Sequence, residues 1–344
     1  MAARPVISVC IVTSRRHREL GACLRSVVSQ EHAPPYEVLV FANADPEVDV
    51  VVREHAPSAT IVHAPRTHLG GARNLLVGQA SGDLLLFLDD DVVVDPRLLA
   101  RFSRITREHP RVTVFGGPNL TPPGSSRFQV TQGAVLGSII GAGPVRRRYG
   151  RHPVGLADER FFTLCNLAIR RAAMTAFPRD VTGGEENALL IEQSRRKGSM
   201  LYDPRLHVFH ERRSRLRPFA KQMYKYGSGR GQVIARDVGG LRPTYLAPVA
   251  LLAYLATLPL LLRLIGPVAG APLVVYVVAV LATGVRIAWP MRDAVAIGIA
   301  AHLIPVVHLC YAIGLLRGLV RRRPRAEHSS IELTARPDAA EIAG

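Results

Sequence analysis

Three consecutive aspartates, Asp89-Asp90-Asp91, follow directly on the apolar run Leu84-Leu85-Leu86-Phe87-Leu88. A run of that length and purity reads as a strand buried on both faces. In open α/β sheets, ligands sit beyond the carboxyl ends of the strands. The chain therefore delivers three carboxylates to the place where a core strand emerges. Carboxylates that close raise each other's pKa unless a cation joins them. A hard divalent ion shared with a substrate phosphate meets that need; the bland alternative is a solvated acidic turn.

The surrounding pattern says which elements hold the triplet. Val6–Val12, Glu37–Phe41, Thr60–His63, Leu84–Leu88 and Val112–Phe115 read as strands. Glu19–Gln30, Gly71–Gln79 and Pro96–Glu108 read as helices, with Pro96 suited to a first turn. Strand-helix alternation predicts a mostly parallel sheet covered by helices on both faces. Residues 118–160 break the pattern with glycine, proline, arginine and one apolar stretch, Phe128 to Ile140, too short to cross a bilayer. This reads as a loop-and-helix insert.

Composition changes near Thr244. Three apolar blocks follow, about 245–265, 267–287 and 294–316, each near the length that spans hydrocarbon. The third carries His302, Pro305 and His308, and then comes a basic cluster from Arg321 and a tail expected to be disordered. The N-terminus does not read as a signal peptide, so the globular part is expected in the cytoplasm of a multi-pass protein of the cell membrane. Three full crossings would then put the Arg321 cluster outside, against the positive-inside tendency. Either the third block does not cross or the rule fails.

The formal net charge is +17, and 41 of the 44 basic residues are arginine. Such a balance suits an anionic membrane surface or phosphorylated substrates. No zinc-finger, RNA-recognition or helix-turn-helix signature is present, so no specific nucleic-acid partner is expected. The four cysteines, Cys10, Cys23, Cys165 and Cys310, are scattered without metal-ligand spacing and read as buried free thiols.

Gly70-Gly71-Ala72-Arg73-Asn74, then Gly82-Asp83, then Leu88-Asp89-Asp90-Asp91, in that order and spacing, resemble the family 2 glycosyltransferases. Val6–Arg15 and Glu37–Asp45 resemble the family's first two strands and their loops. The segment Phe162–Arg171 resembles its acceptor-side segment, and Gly184-Glu185-Glu186-Asn187 its acidic catalytic motif. Gly116-Gly117-Pro118, Arg148-Tyr149-Gly150, the run Gln222, Tyr226, Gly227 and Arg230, and His308 with Tyr311 resemble the exopolysaccharide, succinoglycan-biosynthesis-like branch. The resemblance covers residues 5 to about 235. It implies an α/β fold of the GT-A, Rossmann-like type in residues 1–240, followed by all-α transmembrane or interfacial helices over 241–320.

The resemblance also implies roles. Asp91 would be the metal ligand of an Asp-x-Asp motif, with Asp89 and His210 near the ion, either Mn2+ or Mg2+. Asp89, Asp90, Thr13, Asn43, Asp45, Gly71, Arg73 and Arg230 would face a nucleotide-sugar donor. Where the family usually carries aspartates in the second-strand loop, this chain reads Ala42-Asn43-Ala44-Asp45. An amide can still bond a base, and uridine is the expected nucleoside. Cys165, Asn166 and Arg148 would lie on the acceptor side. Glu186 is the expected general base, but the family's Glu-Asp is Glu185-Glu186 here, which leaves open which of the two takes the proton. The chain thus reads as a membrane-bound inverting hexosyltransferase acting on a lipid-linked, polyprenyl-type acceptor, with anionic phospholipid as a surface partner. Its rivals are direct transfer to polyprenyl phosphate, a processive synthase, and an inactive nucleotide-binding scaffold.

Overall fold

The chain's apolar runs become strands where both of their faces are covered by helices. The computed structural model describes residues 6–65 and 67–320; the Arg321 cluster and the tail lie outside the described residues. The strands are β1 (Ile7–Thr13), β2 (Tyr36–Asn43), β3 (Thr60–Ala64), β4 (Leu84–Asp89), β5 (Val92–Val94), β6 (Val112–Gly116), β7 (Asn119–Leu120), β8 (Gly155–Leu156), β9 (Leu167–Arg170), β10 (Ser199–Tyr202) and β11 (Val208–His210). The helices are α1 (His17–Val28), α2 (Glu47–His55), α3 (Leu69–Gln79), α4 (Leu98–Glu108), α5 (Arg127–Leu136), α6 (Ile139–Ala142), α7 (Glu185–Arg195), α8 (Leu216–Arg236), α9 (Ala247–Ile265), α10 (Ala271–Met291) and α11 (Val295–Val320).

Eight strands form one sheet in the order β3-β2-β1-β4-β9-β6-β10-β8. On one face α1 contributes Leu20, Cys23 and Leu24, and α4 contributes Leu98, Phe102 and Ile105. On the other, α3 contributes Ala72 and Leu76, and α7 contributes Leu189 and Leu190. Each buried leucine or phenylalanine on these faces stabilises the domain by about 1.5–3 kcal/mol. Cys10, Cys23 and Cys165 are buried free thiols and Cys310 is partly buried; burial pushes Cys10 up to about 12.

The sheet is not wholly parallel. β9 runs antiparallel between β4 and β6, and β8 antiparallel to β10. The reason lies in the insert. Its helices carry the chain across the carboxyl ends of the strands, so β9 must begin there and run backwards. That reversal sets Leu167 opposite Phe87 and carries the residues just before it to the mouth of β4. A second sheet, β5-β11-β7, pairs His210 with Val92, just beyond the aspartates. Both reversals deliver side chains to the point where β4 ends.

Two helical stretches are long and apolar enough to cross a membrane, Pro243–Met291 and Val295–Val320. They are packed differently: 11% of the most apolar window is buried in the first and 39% in the second. α11 lies along α8, backbone against backbone. A Cβ added to Gly314 would sit 2.1 Å from the Tyr224 carbonyl oxygen, and one added to Gly227 would sit 2.1 Å from that of Tyr311. This is the small-residue packing that lets two helices approach closely. His308, in the middle of α11, bonds the Tyr276 hydroxyl at 2.9 Å and the Ile140 carbonyl at 2.7 Å, tying it to α10 and α6.

Candidate active site

The acidic triplet is held by cations and a hydroxyl of the chain itself. Register puts Val12 of β1 beside Asp89 of β4, so the next residue, Thr13, reaches Asp90 and donates to its Oδ2 at 2.8 Å. Arg16, at the start of α1, spans Asp90 at 3.1 Å and Asp91. His210 meets Asp91 Oδ1 at 3.2 Å. Burial pushes Asp90 up to about 6, with Arg16 acting against it. Burial also opposes ionisation of Asp91, but His210 and Arg16 outweigh it and hold this carboxyl well below the usual range.

Asp89 faces a different way. Its carboxylate, the Cys165 thiol and the His210 imidazole bring ligand atoms within 4.8 Å of one another. A carboxylate and an imidazole fit a divalent cation; Asp91 holds the imidazole through Nε2, as carboxylates orient metal-bound histidines, and Arg212 Nη1 lies 3.5 Å from its Nδ1. Asp91, expected as the ligand, thus has both oxygens engaged by Arg16 and His210. Cys165, expected on the acceptor side, lies against Asp89 Oδ2 at 3.3 Å.

The donor-side residues gather at the ends of β1 and β2. Asp45 accepts from the Arg15 amide at 3.0 Å and meets His17 at 2.9 Å. Asn43 Oδ1 accepts from the Thr67 amide at 3.2 Å. The Gly70-Gly71 pair opens α3, where a Cβ on Gly70 would strike the Pro178 carbonyl at 2.3 Å and one on Gly71 the Thr67 hydroxyl at 2.9 Å. Their close approaches are therefore to the chain itself. Arg73 is only 7% exposed. Its Nη2 lies 3.7 Å from Asp89, and its Nη1 is buried without a hydrogen-bond partner.

The two glutamates that open α7 separate into two kinds. Glu185 turns back on its own loop, accepting from the Gly183 and Gly184 amides at 3.1 and 3.0 Å. Acids at a helix N-terminus are favoured there, and this one caps the turn. Glu186 faces the cavity, accepts from Asn187 Nδ2 at 2.8 Å, and is raised above the ordinary glutamate range by burial, with Arg148 and Arg73 opposing. A raised pKa suits a general base better than an ordinary carboxylate does.

Arg148 and Arg230 meet on one atom. Both donate to Asn187 Oδ1, at 2.9 and 2.8 Å. Arg230, expected on the donor side, thus lies with Arg148, under the Tyr245 ring at 4.5 Å. Asn166 is not brought to the site: its amide donates to the Leu206 carbonyl, buried in the turn between β10 and β11. A cavity of about 630 Å3 joins these groups; Asp89, His210, Glu186 and Arg230 line one part, and Ile139, Val307 and Tyr311 another.

Sequence reasoning missed three residues of this centre. Arg16 had no motif, though a basic residue just after the first strand and its Thr13 was the available signal. Asn187 stood inside the acidic motif without a role. His68 caps α3, accepting from the Gly70 amide at 3.3 Å, and bonds Thr182 at 2.9 Å.

The profile of glycosyl transferase family 2 matches residues 8–181. The chain is 26% identical over 263 residues to the succinoglycan biosynthesis protein ExoM of Rhizobium meliloti, covering 70% of this chain and 78% of that one. It is 22% identical over 336 residues, 92% and 97% of the two chains, to a dolichyl N-acetyl-alpha-D-glucosaminyl phosphate 3-beta-D-2,3-diacetamido-2,3-dideoxy-beta-D-glucuronosyltransferase of Methanococcus voltae. In fold it resembles the mannosyltransferase PcManGT from Pyrobaculum calidifontis, a structure in complex with GDP-Man and Mn2+. The TM-score is 0.58 at 16% identity, over 93% of this chain and 89% of that one.

Proposed function

The chain belongs to glycosyl transferase family 2, and on that premise we propose that it moves a sugar from a nucleotide-sugar donor, a UDP-sugar first, to a lipid-linked acceptor, inverting the anomeric centre. The reading places it in cell-surface polysaccharide or glycolipid synthesis, with its catalytic domain on the cytoplasmic face of the membrane and α9 and α10 in the bilayer. One observation carries the acceptor class: a single cavity runs from Asp89 and Glu186 to the apolar side chains of α6 and α11. A polar, water-soluble acceptor has no use for that apolar end.

In this reading Asn43 and Asp45 meet the nucleoside at the ends of β1 and β2. Arg73, with its free Nη1 beside Asp89, orients the diphosphate. Asp89 and His210, with Asp91 behind the imidazole, would hold Mn2+ or Mg2+, which supplies positive charge to a leaving diphosphate when bound. Glu186 takes the proton of the acceptor hydroxyl as its oxygen attacks the anomeric carbon. The bond from that carbon to the diphosphate oxygen breaks on the opposite face, and the nucleoside diphosphate departs with the electron pair. Asn187 holds the Glu186 carboxylate toward the cavity through its 2.8 Å bond.

The test is a panel of nucleotide sugars with the purified full-length protein and Mn2+, scored by released nucleotide. Turnover with one donor, stimulated by a polyprenyl-diphosphate-linked sugar and lost in Asp91→Ala, supports the reading. Full turnover on a purely water-soluble sugar acceptor removes the lipid-linked part of it. Binding of a nucleotide without any transfer in the whole panel would favour the scaffold instead.

A further inference from the structure

We infer that Arg148 and Arg230 form a phosphate site that receives the phosphate of the acceptor lipid, next to the general base. The inference rests on the lipid-linked reading above and adds the group that recognises the lipid's head.

Arg230 is 6% exposed. It shares one neutral amide oxygen, Asn187 Oδ1, with Arg148. Arg148 is otherwise spent on the carbonyls of Arg160 and Glu159, at 2.6 and 3.1 Å. Among the described residues, neither guanidinium has a carboxylate at ion-pair distance. Arg230 keeps Nη1 buried without a hydrogen-bond partner, and the Tyr245 ring beneath which it lies carries no charge. A buried cation is tolerated when an anion pairs with it. A buried and a half-buried cation converging on one amide describe a place for an anion that the chain itself does not provide.

Position then says whose anion. Arg148 comes from the 118–160 insert and Arg230 from α8, the helix that carries α11. Tyr245 stands at the entry to α9. All three belong to elements joined to the apolar helices, and none to β1, β2 or β4. The acidic end has its own guanidinium in Arg73, whose Nη2 lies 3.7 Å from Asp89 and whose Nη1 is buried without a hydrogen-bond partner. Asn187 links the two arginines to Glu186, so an anion bound there sits close to the group that receives the acceptor's proton. A planar guanidinium pair suits the several oxygens of a phosphate or diphosphate ester.

The experiment is calorimetry on the full-length protein in phosphatidylcholine nanodiscs with four probes: farnesyl phosphate, farnesyl diphosphate, farnesol, and UDP with Mn2+. The wild type is expected to bind the phosphorylated isoprenoids at least about tenfold more tightly than farnesol. Arg230→Gln and Arg148→Gln are each expected to erase that preference and to leave UDP binding within about twofold; Arg230→Lys, which keeps the charge, should restore part of it. If Arg230→Gln weakens UDP about tenfold and farnesyl phosphate not at all, the pair serves the donor and the inference is overturned. If the wild type binds farnesol as tightly as its phosphate, the site does not read phosphate, although the apolar acceptor survives. If the wild type binds none of the three isoprenoids, the lipid-linked reading itself fails. Should Arg230→Gln not fold, the wild-type preference and Arg230→Lys still decide the matter.

Discussion

The two ends of the cavity settle their charges in opposite ways. At the mouth of β4, the negative charge of Asp90 and Asp91 is met by Arg16, Thr13 and His210. Beside α7, the positive charge of Arg148 and Arg230 is met by neutral oxygens, the shared amide of Asn187 and, for Arg148, the carbonyls of Arg160 and Glu159. The first end is complete in itself and offers an edge, Asp89 with His210, to an incoming cation. The second end is incomplete and waits for an anion. Glu186 lies between them and feels both, since burial raises it while Arg148 and Arg73 pull it down. A transferase with two substrates that each carry phosphate needs that kind of asymmetry.

The harshest way to break the comparison is to remove the group between the two ends. Glu186→Gln keeps the shape and the bond from Asn187 but cannot take a proton. We expect kcat to fall by about 10²–10⁴-fold, with donor KM nearly unchanged, measured by nucleotide release. A drop of that size in Glu185→Gln and none in Glu186→Gln would reverse the two roles. Glu185 instead caps the loop at Gly183 and Gly184, so its loss is expected to register first in thermal stability.

The next tests the self-contained end. Asp91→Asn removes the charge that holds both His210 and Arg16. Partners behind a metal-bound histidine typically account for about 10–100-fold in metal affinity, and a loss in that range is expected by calorimetry with Mn2+. An unchanged affinity would leave Asp91 a purely structural partner of Arg16.

Most of the fold could be read in the sequence, because the buried strands announce themselves as unbroken apolar runs. The run Leu84–Leu88 became β4 with the aspartates where expected, and the first three strands appeared within one or two residues of their predicted ends. What could not be read was direction. Nothing in Leu-Ala-Ile-Arg says that β9 runs backwards; that follows from where the insert leaves the chain. The same holds in the site. The residue types of Glu185 and Glu186 are identical, both line the cavity, and only the turn at Gly184 decides which one bonds back to the loop. Hydropathy sees length and composition, so it left open whether the third apolar block spans, and α11 is indeed long and apolar enough to cross. The glycines at 227 and 314, which hydropathy does not register, show that it also packs along the basic helix α8.

The two ends also communicate through the proton. Glu186 is raised by burial, so its carboxylate, the form that acts as base, is lost as pH falls through that raised value. The acid limb of kcat/KM should therefore lie above the ordinary glutamate range. Arg148 favours the charged form, so Arg148→Gln should move the limb to still higher pH. A limb that stays in place in this variant would mean that the cations beside α7 do not act on the base.

The mildest change sharpens the comparison at its weak point. Asn187→Ala deletes the oxygen that the two arginines share and also the amide that bonds Glu186. Leaving a buried donor unsatisfied costs about 1–3 kcal/mol, so a fall of a few degrees in melting temperature is expected. The diagnostic is its rescue. An anion that binds only the folded state adds stability by mass action, and inorganic pyrophosphate should recover more of the melting temperature in Asn187→Ala than in the double variant Asn187→Ala/Arg230→Gln. Equal recovery in both would place the pyrophosphate at Arg73 instead, and the incomplete end of the cavity would lose its claim to a separate phosphate.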